Sequence, residues 1–160
     1  MDLGNTPPRA GTRCGTMAAL PLPVYAGGED TKTRKGSEME CACSLNMDVD
    51  DCATVLSDTV VVARKNHQCC ECRHVIKPSE IYRREKTLYE GSFETYKTCV
   101  NCDSIRREFV SGGWYWGEIL EGLRECIFGC EGEISEEKIS DLTPGGRATV
   151  CEMIEDAWGR

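Results

Sequence analysis

Four of the twelve cysteines stand in two pairs of identical spacing, Cys69 and Cys72 in CCEC and Cys99 and Cys102 in TCVNC, with 26 residues between the pairs. No other feature constrains the fold as much. Four thiolates presented by two CxxC pairs match a closed tetrahedral zinc site, each sulfur about 2.3 Å from the ion. Such a site leaves no open coordination position, so its ordinary role is to hold structure. Cys70 fits less well, because pairing it with Cys72 leaves one intervening residue where a knuckle needs two. Cys70 is therefore expected to be a packed or free thiol, and His67 a surface or turn residue.

The sequence around the pairs alternates strand and turn signals. The β-branched run Thr59-Val60-Val61-Val62 predicts a buried strand, KPSE at 77–80 predicts a turn, and IYRREKTLY and SFETYKT flank Glu90-Gly91 as the arms of a β-hairpin. Thr98 is expected to cap a short helix through TCVNCDSIRREFV, ended by Gly112-Gly113. Trp116, Ile119, Leu120, Leu123 and Ile127 recur at helical spacing and predict an amphipathic helix closed by Gly129. A last helix should start at Thr143-Pro144 and turn Val150, Cys151, Ile154 and Trp158 inward.

The order of knuckle, hairpin and helix resembles the treble-clef class of zinc fingers. The expected fold class is α+β: a small four-cysteine, treble-clef-like zinc module over residues 39–112, an acidic helical region packed on it over 113–160, and a disordered leader over 1–38. The leader carries four of the six prolines, a Gly27-Gly28 pair and no apolar periodicity. Met39, where the composition changes, is either the biological start or an internal residue behind a genuine tail.

Composition decides how the remaining cysteines are read. Twelve cysteines in 160 residues serve disulfides in a secreted chain and metal in a cytosolic one. The stretch MAALPLPVYA (17–26) lacks a basic flank and contains Pro21 and Pro23, so it is not expected to be an export signal. No run of 18 apolar residues occurs. Metal, a cytoplasmic location and no membrane are therefore expected. Cys41, Cys43 and Cys52 could hold a second ion with Cys70 or His67. Cys126, Cys130 and Cys151 are expected to be buried small hydrophobes, and Cys14 a free thiol.

Two segments of the recognisable order, ECACSL and ARKNHQCCEC, are followed by IKPSEIY, FETYKTCVNC and SIRREF. Together they resemble a recurrent group of small bacteriophage and prophage proteins with a CxC opening, a basic stretch before CCEC, and TCxxC leading into a helix. The resemblance covers about residues 39–125. It implies a phage origin, the four metal ligands and Met39 as a possible start, and it carries nothing about catalysis.

Function is read from charge and from missing motifs. The net charge of -8 disfavours nucleic acid and anionic membranes. Residues 63–110 carry ten Lys/Arg against seven Asp/Glu, net +3, whereas residues 111–160 carry four against eleven, net -7. The expectation is a protein-interaction module, a phage accessory protein that binds or inhibits a host protein such as a nucleic-acid-binding enzyme. Trp114, Tyr115 and Trp116 would be its exposed anchors. The alternative is a zinc-finger nucleic-acid-binding protein using the basic residues between Arg64 and Arg107. An enzyme is not expected: only His67 and His74 are present for an HNH-type nuclease, and the HxE and PCxxC strings of zinc deaminases do not occur.

Overall fold

The run that predicts a strand at 59–62 is the second half of a longer one. A computed structural model describes residues 12–13, 43–46 and 52–159. Its elements are β1 (Thr12–Arg13), β2 (Thr54–Val62), β3 (His67–Gln68), β4 (Val75–Ile76), β5 (Ile81–Tyr89), β6 (Ser92–Cys99), α1 (Val100–Phe109), β7 (Trp114–Tyr115), α2 (Ile119–Gly129), α3 (Glu136–Ser140) and α4 (Pro144–Trp158). The class is α+β. No helix among the described residues is long and apolar enough to cross a membrane.

Strands β2, β5 and β6 form an antiparallel sheet in the order β2-β5-β6. Its hairpin turns on Glu90 (φ +47°) and Gly91 (φ +79°), two consecutive left-handed residues that match a type I′ turn and the right-handed twist of the strands. Glycine meets that demand at no steric cost, and Glu90 does not. Because side chains alternate across a strand, β5 sorts its charges: Arg83, Glu85 and Thr87 are buried, while Arg84 and Lys86 belong to the opposite face.

Helices α1, α2 and α4 enclose the main core of Ile105, Phe109, Ile119, Leu123, Ile127, Val150, Met153 and Ile154. Thr143 caps α4 as its sequence predicts, its hydroxyl oxygen accepting the Gly146 N–H at 3.1 Å ahead of Pro144 in the first turn. Inward positions on α4 belong to Val150, Met153 and Ile154, whereas Trp158 is 67 % exposed at the C-terminal end of the helix. Thr98 does not cap α1. It is buried in β6, and the still-extended Cys99 is the N-cap, without a side-chain cap bond.

Trp114 and Trp116 require a larger correction, because both are core residues, 0 % and 2 % exposed, and Tyr115 is half-buried. Trp116 stacks on Tyr96 with ring centroids 4.5 Å apart, and its indole N–H donates to Glu85 at 3.0 Å. The short strand β7 that carries Trp114 pairs with β1, placing Thr12 opposite Tyr115 and Arg13 opposite Trp114. Residues 1–11 and 14–42 of the expected leader and its border lie outside the described residues.

Between sheet and α1 lies a buried ionic group. Arg106, 0 % exposed, donates to Glu85 at 2.8 Å and to Asp103 at 2.9 Å. Arg83 donates to both oxygens of Asp58 at 2.7 Å and to Asp103 at 3.3 Å. Removing one charge strands its partners in a medium that cannot solvate them, so Arg106→Ala should cost about 3–5 kcal/mol in chemical denaturation. Glu90→Asn, which relieves the left-handed strain, should instead raise stability by up to about 1 kcal/mol in the same measurement.

Candidate metal centre

The two CxxC pairs converge. The sulfurs of Cys69, Cys72, Cys99 and Cys102 all lie within 4.8 Å of one another, and those of Cys72 and Cys99 are 3.8 Å apart. Bonds of about 2.3 Å at tetrahedral angles would separate ligand sulfurs by about 3.8 Å, so the set fits a single thiolate-bound metal ion. Cys69 and Cys102 are buried, and Cys72 and Cys99 half-buried.

Local structure explains the convergence. Between β3 and β4 the chain folds back as a tight knuckle: the Cys69 N–H donates to the His74 carbonyl at 2.9 Å and the Arg73 N–H to the Cys69 carbonyl at 3.1 Å, with Arg73 at φ +63°. Cys99 and Cys102 occupy the N-cap and first turn of α1, where unpaired N–H groups and the helix dipole favour negative sulfur. The Cys99 N–H also donates to the Cys69 sulfur at 3.3 Å, joining the two halves of the site. Hydrogen bonds from the Cys102, Cys70 and Cys99 thiols hold Cys69 far below the ordinary thiol range. Cys102 moves far above it, through Cys69, Cys99 and burial. A divalent cation bound here would relieve this crowding by replacing the shared protons.

Cys70 stands outside the set, as its spacing predicts. Its sulfur lies 3.4 Å from the Thr98 hydroxyl and 3.8 Å from a Glu71 oxygen. His67 is not a ligand either; its Nδ1 faces the Lys97 ammonium at 3.1 Å. Glu71 is the residue the sequence conceals, a carboxylate between two cysteines that reads as solvent-facing. It is 7 % exposed and accepts the Gly117 N–H at 2.9 Å and the Ile119 N–H at 3.2 Å, capping α2 from within the knuckle. Gly117 allows that approach: it has φ +89°, and a Cβ there would lie 3.3 Å from the Cys70 carbonyl oxygen.

The other cysteines do not group as their spacing suggests. Cys43 gathers with Cys126 and Cys130, with all three sulfurs within 4.8 Å of one another. The second set proposed from Cys41, Cys43 and Cys52 is thus redistributed: Cys52 is exposed and disulfide-bonded, and Cys41 and Cys14 lie outside the described residues. Cys151 is half-buried and belongs to neither group. The signal in the sequence was the i, i+4 spacing of Cys126 and Cys130, which puts two thiols on one helical edge.

Comparison with known proteins yields no match: no family model, no curated protein and no solved structure corresponds to this chain.

A structural zinc contributes roughly 10–16 kcal/mol, against about 5–15 kcal/mol for the stability of a whole domain. Metal removal by a strong chelator should therefore melt the knuckle and the start of α1, seen as lost near-UV dichroism. Cys69→Ser, Cys72→Ser, Cys99→Ser and Cys102→Ser should each lose this metal, whereas Cys70→Ser should keep it, as measured by elemental analysis of protein purified without added metal.

Proposed function

We propose that this chain is a zinc-stabilised, treble-clef-like binding module that takes a nucleic acid on the outer face of its sheet. One observation carries the proposal. An open groove of about 1100 Å³ is lined by Arg64, Lys65, Arg84, Lys86 and Lys97 around Tyr82, with no carboxylate among its described lining residues. In the sequence these cations alternate with Glu85 and Glu94, an arrangement that usually means a neutral solvated face. The pleat separates them, because Glu85 points inward to Arg106 and leaves Arg84 and Lys86 on the opposite side. Five cations with no carboxylate between them suit the regularly spaced charges of a phosphate backbone better than any neutral ligand.

The cysteine cluster supports one end of this face, since Cys99 follows Lys97 by two residues on β6 and stands opposite Tyr82. Tetrahedral thiolate sets select zinc or iron, and two CxxC knuckles around one ion are the common zinc arrangement. The resemblance to phage and prophage proteins supports an accessory role inside a host cell. A host protein is the competing ligand. Its support is now the acidic C-terminal region alone, because the anchors expected at Trp114 and Trp116 are buried.

Binding should show the affinity of sequence-independent contacts, about 10⁻⁴–10⁻⁶ M near physiological salt, with a steep salt dependence. Lys65 and Lys86 are exposed, so Lys65→Glu with Lys86→Glu should leave the fold and zinc content intact. The double variant should bind at least tenfold more weakly in a shift assay and lose roughly 1.4–1.8 from the log–log salt slope. Arg124→Glu, at an exposed position of α2, should change neither. No detectable binding by the wild-type chain, beside a host protein captured by it and lost from the double variant, would replace the nucleic acid with a protein partner.

A further inference from the structure

Cys43, Cys126 and Cys130 are brought together from opposite ends of the fold. The segment at 43–46 lies against the end of α1, where the Leu45 N–H donates to the Phe109 carbonyl at 2.6 Å and the Ser111 N–H to the Leu45 carbonyl at 3.0 Å. This places Cys43, 1 % exposed, over the C-terminal end of α2, where Cys126 and the C-cap Cys130 stand one turn apart. The sulfurs of Cys43 and Cys130 are 3.6 Å apart. That is far longer than a disulfide bond of about 2.05 Å and close to the spacing of two sulfurs on one tetrahedral metal.

We propose that in the reduced chain the thiolates of Cys43, Cys126 and Cys130 form a second binding site for a soft divalent cation, zinc, separate from the four-cysteine centre. Cys130 is disulfide-bonded in this structure, so its sulfur becomes a ligand only after a dithiol reductant supplies two electrons and two protons, the S–S bond breaking to two thiols while the reductant closes to its own disulfide. One feature of the surroundings favours a cation, and another favours the anionic charge of the filled site. The C-terminal end of a helix carries the negative pole of its dipole, which opposes bare thiolates and attracts positive charge. Lys138 also lies beside the cluster, its ammonium donating to the Cys43 carbonyl at 2.7 Å, and can offset the residual -1 of three thiolates around a divalent ion. Three sulfurs leave one tetrahedral position for a further donor. An ion here would tie the segment before the sheet to the helical region, across the expected 112/113 boundary and independently of the first centre.

Cadmium-113 NMR of the reduced chain tests the proposal, since each thiolate site contributes its own resonance. The wild-type chain should show two. Cys126→Ser, at a half-buried position, should remove one and leave the other, with zinc measured on parallel samples falling from two equivalents to one. A single resonance unaffected by Cys126→Ser would overturn the second site and leave the four-cysteine centre standing. A single resonance abolished by Cys126→Ser would support the second site while showing that the first does not bind.

Discussion

Two guanidinium groups buried between a sheet and a helix organise this structure. Arg106 has no solvent to turn to, so Glu85 from β5 and Asp103 from its own helix must both be in place. Arg83 repeats the arrangement on the neighbouring side, joining Asp58 of β2 to the same Asp103. Because each bond fixes a direction as well as a distance, the group sets the register of β2 and β5 against α1. Apolar packing alone would tolerate small slips that this network does not.

The four-cysteine cluster depends on that register. Cys99 and Cys102 face Cys69 and Cys72 only if β6 delivers α1 at the correct height above the knuckle. Glu71 carries the constraint onward, since its carboxylate caps α2 and Trp116 returns to Glu85. Sulfur cluster, ionic group and tryptophan core are thus consecutive links of one chain of contacts. The C-terminal helices are built onto the cysteine module and share its core, instead of forming a separate unit beside it.

Different parts of this arrangement were legible to different degrees. The CxxC pairs, the Glu90-Gly91 hairpin and the Thr143-Pro144 helix start could be read directly, because each is a local motif whose chemistry is complete within a few residues. Trp114 and Trp116 could not. An aromatic cluster beside Gly112-Gly113 is equally consistent with an exposed anchor and a buried one, and only the stacking on Tyr96 and the bond to Glu85 decide between them. Cys43 was assigned to its neighbours in the chain when its partners lie 83 and 87 positions away.

What the sequence determined by itself was the four-cysteine set that could hold a metal, the class of fold and the order of its hairpin and main helices, since spacing and periodicity are local properties that survive in the unfolded chain. What only the tertiary structure decided was which charges and which thiols share a face. The mixed charges of IYRREKTLY average to little along the chain, yet the pleat sends Glu85 to Arg106 and leaves Arg84 and Lys86 on a basic groove. The physical reason is the same for Cys43 with Cys126 and Cys130: side-chain direction and long-range contact are set by how strands and helices pack, and a net charge or a cysteine count carries no direction.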